Sequence, residues 1–162
     1  MLALVKDLYE TAAENRDFIH ARCPTGVGGG DVLEKYRGRI VEQFFPARGF
    51  GKLKLGQARK AIRDYRKATG DLSGTAELLM TYVESGAEFT RQFGDIDERF
   101  YSSVESVLVE LAALLRGEAR ELYPQFRERL ASAKQMTDGI GWGFHDFVAD
   151  VVAALEEELG DL

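Results

Sequence analysis

The sequence predicts an all-α protein, a single-domain orthogonal helical bundle of about eight helices over residues 1–162. Three observations lead there. Apolar residues recur at spacings of three and four along most of the chain, as in Leu55, Ala58, Ile62 and Tyr65. Gly-Asp pairs at Gly70-Asp71 and Gly94-Asp95, and less cleanly at Gly30-Asp31, punctuate these patterns; the glycine closes one helix and the acid opens the next. Nowhere do β-branched residues alternate with polar ones over more than a few positions, as a strand requires. No repeat period is visible, which favours a bundle over a solenoid.

Taken in order, residues 2 to 10 form a short amphipathic helix with Leu4, Val5, Leu8 and Tyr9 inward. Thr11-Ala-Ala-Glu14 has the form of a capping box and starts a second helix through Phe18, Ile19 and Cys23, which Pro24 ends. The glycine-rich run from Gly26 to Gly30 resembles a phosphate loop only in composition. Asp31-Val32 follows where Lys-Ser/Thr is needed, and a helix precedes it where a dinucleotide fold has a strand. It is therefore a connector, with Asp31 to Glu34 capping a third helix on Leu33, Tyr36, Ile40, Val41, Phe44 and Phe45, stopped by Pro46.

Residues 52 to 108 organise the rest. A helix from Leu55 to Thr69 is followed by one from Gly74 to Phe93, whose apolar set is Leu78, Leu79, Tyr82, Val83, Phe89 and Phe93. Gly86 in its middle marks a kink, a break or a close helix crossing. The helix from Glu98 to Leu115 has the cleanest stripe, from Phe100 through Val104, Val107, Leu108, Leu111, Leu114 and Leu115, and is expected to be central. Residues 118 to 138 form another helix on Leu122, Phe126, Leu130, Ala133 and Met136, starting near Leu122 because Pro124 suits a first turn. Asp138 to Gly143 is a turn, and the last helix runs from Phe144 to Leu159 with Phe147, Val148, Val151, Val152 and Leu155 inward.

At 162 residues and 45% apolar, one core is enough without staples. The single cysteine excludes an internal disulfide, and the apolar run Leu2 to Val5 is too short for a signal or membrane segment, so a cytoplasmic protein with no membrane association is expected. Cys23 has His20 one turn away, but Asp17 and Arg22 beside them read as ordinary helix surface. Trp142, in a Gly-Ile-Gly-Trp-Gly turn, either folds onto the core or supports self-association, which gives a monomer or weak homodimer.

Charge is the feature that composition alone does not explain. The chain is −6 overall, yet between Pro46 and Gly70 stand Arg48, Lys52, Lys54, Arg59, Lys60, Arg63, Arg66 and Lys67 against the single acid Asp64. On a helix, Arg59, Lys60, Arg63, Arg66 and Lys67 fall within about 120° of one another, opposite the apolar stripe. These five are the candidate interaction residues. Their charge can be answered by acidic helices of the same domain, such as the last one, by an acidic protein partner, or by nucleic-acid phosphates bound along helix 55–69. Net acidity and the lack of aromatics within that helix face weigh against nucleic acid.

Asp95, Asp97 and Glu98 place three carboxylates in a short run between helices. They lack the spacing of an EF-hand, and capping is the simpler role; the enzymatic alternative is a metal-assisted hydrolase using them with a distant His145. No nucleophile–base pattern, phosphate loop or Glu-x-x-His pair is found, so no cofactor, metal or catalytic residue is predicted, and a non-enzymatic helical interaction module is the favoured reading.

The segments Asn15-Arg-Asp-Phe18, Ala58-Arg-Lys-Ala-Ile-Arg-Asp-Tyr-Arg-Lys-Ala-Thr-Gly-Asp71, Tyr82-Val-Glu-Ser-Gly-Ala-Glu-Phe-Thr90 and Phe93-Gly-Asp-Ile-Asp-Glu98 resemble a bacterial family of small helical proteins catalogued as a domain of unknown function. The resemblance covers most of the chain and is densest from Leu53 to Glu105. It implies no activity, site residue or cofactor. The family often has a proline after the Gly-Asp-Ile-Asp-Glu run, where this chain has Arg99, and the glycine-rich loop from Gly26 to Gly30 is also unlike the family.

Overall fold

Helices form where the apolar spacing predicts them, and α4, α5, α6 and α8 stop at glycines, whereas α1 ends before Ala12 and α7 before Thr137. In the computed structural model, which describes residues 1–22, 29–141 and 143–162 (of residues 14, 21, 22 and 29–31 only the backbone), the helices are α1 (Leu2–Thr11), α2 (Ala13–Arg22), α3 (Gly29–Phe44), α4 (Leu55–Thr69), α5 (Leu72–Phe93), α6 (Glu98–Arg116), α7 (Tyr123–Met136) and α8 (Phe144–Leu159). A 3-10 turn, Arg120–Leu122, leads into α7 with Pro124 in its first turn. Among the described residues there is no strand, and no helix is long and apolar enough to cross a membrane. Cys23, the connector from Pro24 to Gly28, the Asp31 side chain and Trp142 lie outside the described residues, and with them the expectations about a thiol, a third-helix cap and self-association.

The predicted stops work as local chemistry requires. Gly70 is left-handed (φ 67°, ψ 7°) and returns its N–H to the Arg66 carbonyl. Asp97 caps α6 by accepting the Phe100 N–H at 2.8 Å. Asp71 differs from expectation. Its carboxylate does not cap α5 but accepts the Tyr65 hydroxyl at 2.7 Å, tying the end of α4 to the start of α5. Gly74 is required there, since a Cβ would lie 2.1 Å from the Tyr65 hydroxyl oxygen.

The centre of the bundle is α5, not α6. α5 packs against α3, α4, α6 and α7, and buries residues on every side, from Gly74, Thr75 and Ala76 to Phe89 and Thr90. Its polar side chains are satisfied locally: Thr75 donates to the Asp71 carbonyl, Thr81 to Glu77 and Thr90 to Gly94. A clean stripe, as in α6, reports one buried face and hence one solvent face; burial all round leaves no stripe to read. Gly86 does not break α5 but receives Val104 of α6, so it marks a close crossing.

One continuous core joins α3 to α8, with Phe44 edge-on to Tyr82 at 5.2 Å and Tyr101 tilted against Phe144 at 4.8 Å. The N-terminal pair lies outside it. α1 has no buried residue, so Leu4, Val5 and Leu8 are not inward as expected; a ten-residue helix packed on α2 alone cannot cover a wide apolar sector. Thr11 does not cap α2 either. It remains in α1 and donates to the Asp7 carbonyl. On α2 the buried residue is Asp17, while Phe18 faces solvent. Asp17 accepts from Lys35 at 2.7 and 2.9 Å and from the Tyr36 hydroxyl at 2.9 Å, so an ionic contact holds α2 to α3.

Candidate interaction surface

α4 buries Ala58, Ala61, Ile62, Tyr65 and Ala68 against its neighbours, with Tyr65 edge-on to Tyr36, so its cationic side is forced outward. Lys60, Arg63, Arg66 and Lys67 are exposed and Arg59 is half-buried. The structure therefore brings all five predicted residues onto one outer face. Their partners differ. Arg59 reaches Glu110 of α6 at 4.0 Å, Arg66 reaches Glu118 at 3.4 Å, and Lys60 pairs with Asp64 on its own helix at 2.5 Å. Among the described residues, Arg63 and Lys67 have no ion-pair partner.

The last helix does not answer α4, contrary to expectation. Its Glu156 takes Tyr123 and Arg127 of α7, and its Glu158 takes Arg116 of α6 at 2.8 Å, because α8 packs on α6 and α7. Burial and the Glu156 carboxylate push the Tyr123 hydroxyl up to about 12.

Beside the start of α4 lies an open hollow of about 550 Å³ lined by Leu53, Lys54, Arg59, Arg99, Phe100 and Ser103 among others. A second hollow, of about 430 Å³, lies beyond the loop, with Arg48, Lys52, Lys54 and Gln57 facing Glu42. Lys54 borders both. Ser103 shares a 2.7 Å hydrogen bond with buried Tyr82, whose hydroxyl is pushed up by burial and pulled partly back by Ser103 and Arg59. The α4 N terminus opening on this hollow has no side-chain cap, which adds the positive end of the helix dipole to the cations.

The loop from Pro46 to Lys54, between α3 and α4, is held tightly. Leu53 takes a left-handed φ of 46° and donates its N–H to the Gln43 carbonyl at 2.9 Å, and Gly51 sits so close to the Phe44 carbonyl that a Cβ would lie 2.2 Å from its oxygen. At its tip Phe50 is 79% exposed and edge-on to Phe93 at 5.8 Å; Phe93 is itself 47% exposed and stacks on Phe89. Sequence reasoning missed this pair, since the rings are far apart in the chain and only the Arg-Gly-Phe-Gly-Lys composition of the loop hinted at an exposed aromatic.

It also missed the most developed ionic cluster. Arg129 of α7 grips Glu84 through two 2.8 Å hydrogen bonds and Glu77 through two more at 3.0 and 2.8 Å, while Arg37 of α3 reaches Glu77 at 3.5 Å. Glu77 and Glu84, seven apart in the mostly apolar first two-thirds of α5, were its one sequence signal. Every carboxylate oxygen there accepts from Arg129, so the cluster joins α3, α5 and α7.

Asp95, Asp97 and Glu98 do not converge. Asp95 accepts from Tyr101 at 3.3 Å and Gly141 N–H at 3.4 Å, Asp97 caps α6, and His145 is engaged with Thr137 at 3.1 Å. Among the described residues, no three His, Cys, Asp or Glu side chains are grouped to hold a metal ion. No family model, curated protein or solved structure matches the chain.

Proposed function

We propose that this protein is a non-catalytic binding module whose cationic α4 face receives an acidic macromolecular partner. The observation that carries the reading is the incomplete internal answer to that face. Among the described residues Arg63 and Lys67 have no ion-pair partner, and Arg59 and Arg66 meet theirs only at 4.0 and 3.4 Å, where exposed pairs contribute about 0–1 kcal/mol. A like-charged surface of this kind costs some self-repulsion in the free protein and regains it when an acidic surface docks. Supporting it further, the hollows beside α4 are open and carry cations, while Asp97 caps α6 and Asp95 accepts from Tyr101.

The test uses two variants. R63Q/K67Q removes the cations without internal partners and leaves melting unchanged while weakening capture of acidic ligands at low salt. R59Q/R66Q removes the partnered ones and lowers stability slightly as well. If both variants retain wild-type binding to every anionic macromolecule tried, the face is not the interaction surface.

A further inference from the structure

We propose that the loop from Pro46 to Lys54 is a stacking platform for single-stranded nucleic acid, with Phe50, backed by Phe93, receiving a base and Arg48, Lys52, Lys54 and Arg99 holding the flanking phosphates. This rests on the reading of the α4 face as an anion-binding surface and names the class of anion.

The first support is an apolar ring kept in water. A phenylalanine that is 79% exposed gives up the burial that stabilises its neighbours Phe44 and Phe89, yet the loop that displays it is fixed. Leu53 holds a left-handed backbone, its N–H is bonded to Gln43, and Gly51 seats the chain against the Phe44 carbonyl. Phe93 braces the ring edge-on, and Phe89 anchors Phe93 to the core. A fixed, solvent-facing ring loses little freedom when a flat base stacks on it, and any base suits it because every base has a π face.

The second support is charge. Among the described residues, Arg48, Lys52, Lys54 and Arg99 are exposed and form no ion pair or side-chain hydrogen bond. Arg48, Lys52 and Lys54 line one of the two hollows, and Lys54 and Arg99 line the other together with Arg59 and Ser103. The carboxylates present are Glu42, Asp97 and Glu98, and Asp97 is committed to its cap. Phosphates flanking a base on Phe50 meet Arg48 and Lys52, each two positions from it in the chain, and the exposed Arg63 and Lys67 of α4 add further cations. The net charge of −6 does not cancel this, because exposed charges are screened beyond about 8 Å at physiological salt, and Glu156 and Glu158 of α8 are paired to Arg127 and Arg116.

The arrangement distinguishes among acidic partners. A duplex hides its base faces and offers phosphates alone, and an acidic peptide satisfies the cations but has no flat ring for Phe50. A membrane surface takes up an aromatic tip by insertion and offers it no flat ring to stack on.

Fluorescence anisotropy with labelled fifteen-nucleotide oligo(dT) and oligo(U), a duplex of the same length, a poly-glutamate peptide, and co-sedimentation with phosphatidylserine vesicles test the proposal. Single strands are expected to bind more tightly than the duplex. F50A, which leaves melting unchanged because the ring is exposed, weakens single-strand binding about tenfold or more, and F50W restores it. K52Q/K54Q flattens the slope of log affinity against log salt by about 1.4 without removing the single-strand preference. Equal binding of single strand and duplex, or an F50A variant as tight as wild type, overturns the stacking platform while leaving the anion-binding face standing. Capture of poly-glutamate or vesicles without single-strand binding likewise removes nucleic acid as the ligand. Failure of every anion overturns both readings.

Discussion

Gly86 of α5 and Val104 of α6 touch where the two helices cross, and a Cβ at position 86 would lie 2.6 Å from Val104 Cγ2. Alanine has the better helix propensity by about 1 kcal/mol, so in an exposed helix Gly→Ala would stabilise. Here the overlap outweighs it, since separating a close-packed crossing costs about 1–3 kcal/mol. G86A is expected to lower the urea midpoint, and V104A added to it to recover part of the loss. A G86A protein as stable as wild type would show that α5 and α6 have slack at this point.

Arg129 answers two carboxylates at once, and its side chain is only 29% exposed. R129A leaves Glu77 and Glu84 facing each other's charge in a half-buried seam and is expected to cost about 3 kcal/mol. R129M with E77Q and E84Q recovers most of that, because the destabilisation comes from stranded charge more than from a lost attraction. Chemical denaturation of the two proteins, compared at low and high salt, distinguishes this from a screened surface pair, which salt alone would abolish.

Asp17 is 3% exposed and holds α2 to α3 through Lys35 and Tyr36. Because α1 and α2 lie outside the core, D17A is expected to release them locally, by about 2–3 kcal/mol, and not to unfold the bundle. Hydrogen exchange then accelerates over residues 2 to 22 while α5 and α6 keep their protection. Uniform acceleration throughout would mean that the N-terminal pair folds as one unit with the core.

Tyr123 donates to Glu156 at 2.7 Å, and burial together with that carboxylate raises its hydroxyl to about 12 in the folded protein. The unfolded value is about 10, so above it the unfolded chain loses the proton first and binds fewer protons than the native one. This contribution is fully present below pH about 10 and is lost as pH rises towards 12. Y123F is expected to cost about 1–2 kcal/mol at pH 7 and to flatten, without abolishing, the alkaline fall in stability, since Tyr36 and Tyr65 are shifted in the same direction. Denaturation of both proteins at pH 8 and pH 11 checks the sign.

Residues a few positions apart already decide much of this protein. The stripe and the opposed cations of α4, the left-handed stop at Gly70, the Asp97 cap, the late start of α7 at Pro124 and the bounds of α8 all follow from interactions within one or two turns, which act before any tertiary contact forms. The five cations of the candidate face were legible for the same reason. Tertiary packing alone decided that α5 is the centre, that Asp17 turns inward, that Arg129 finds Glu77 across 52 residues of chain, and that Phe93 comes under Phe50 beside the basic loop. These depend on which faces meet across distant helices, and a helix that is apolar all round, or a polar residue with a distant partner, has no periodicity from which that meeting can be read.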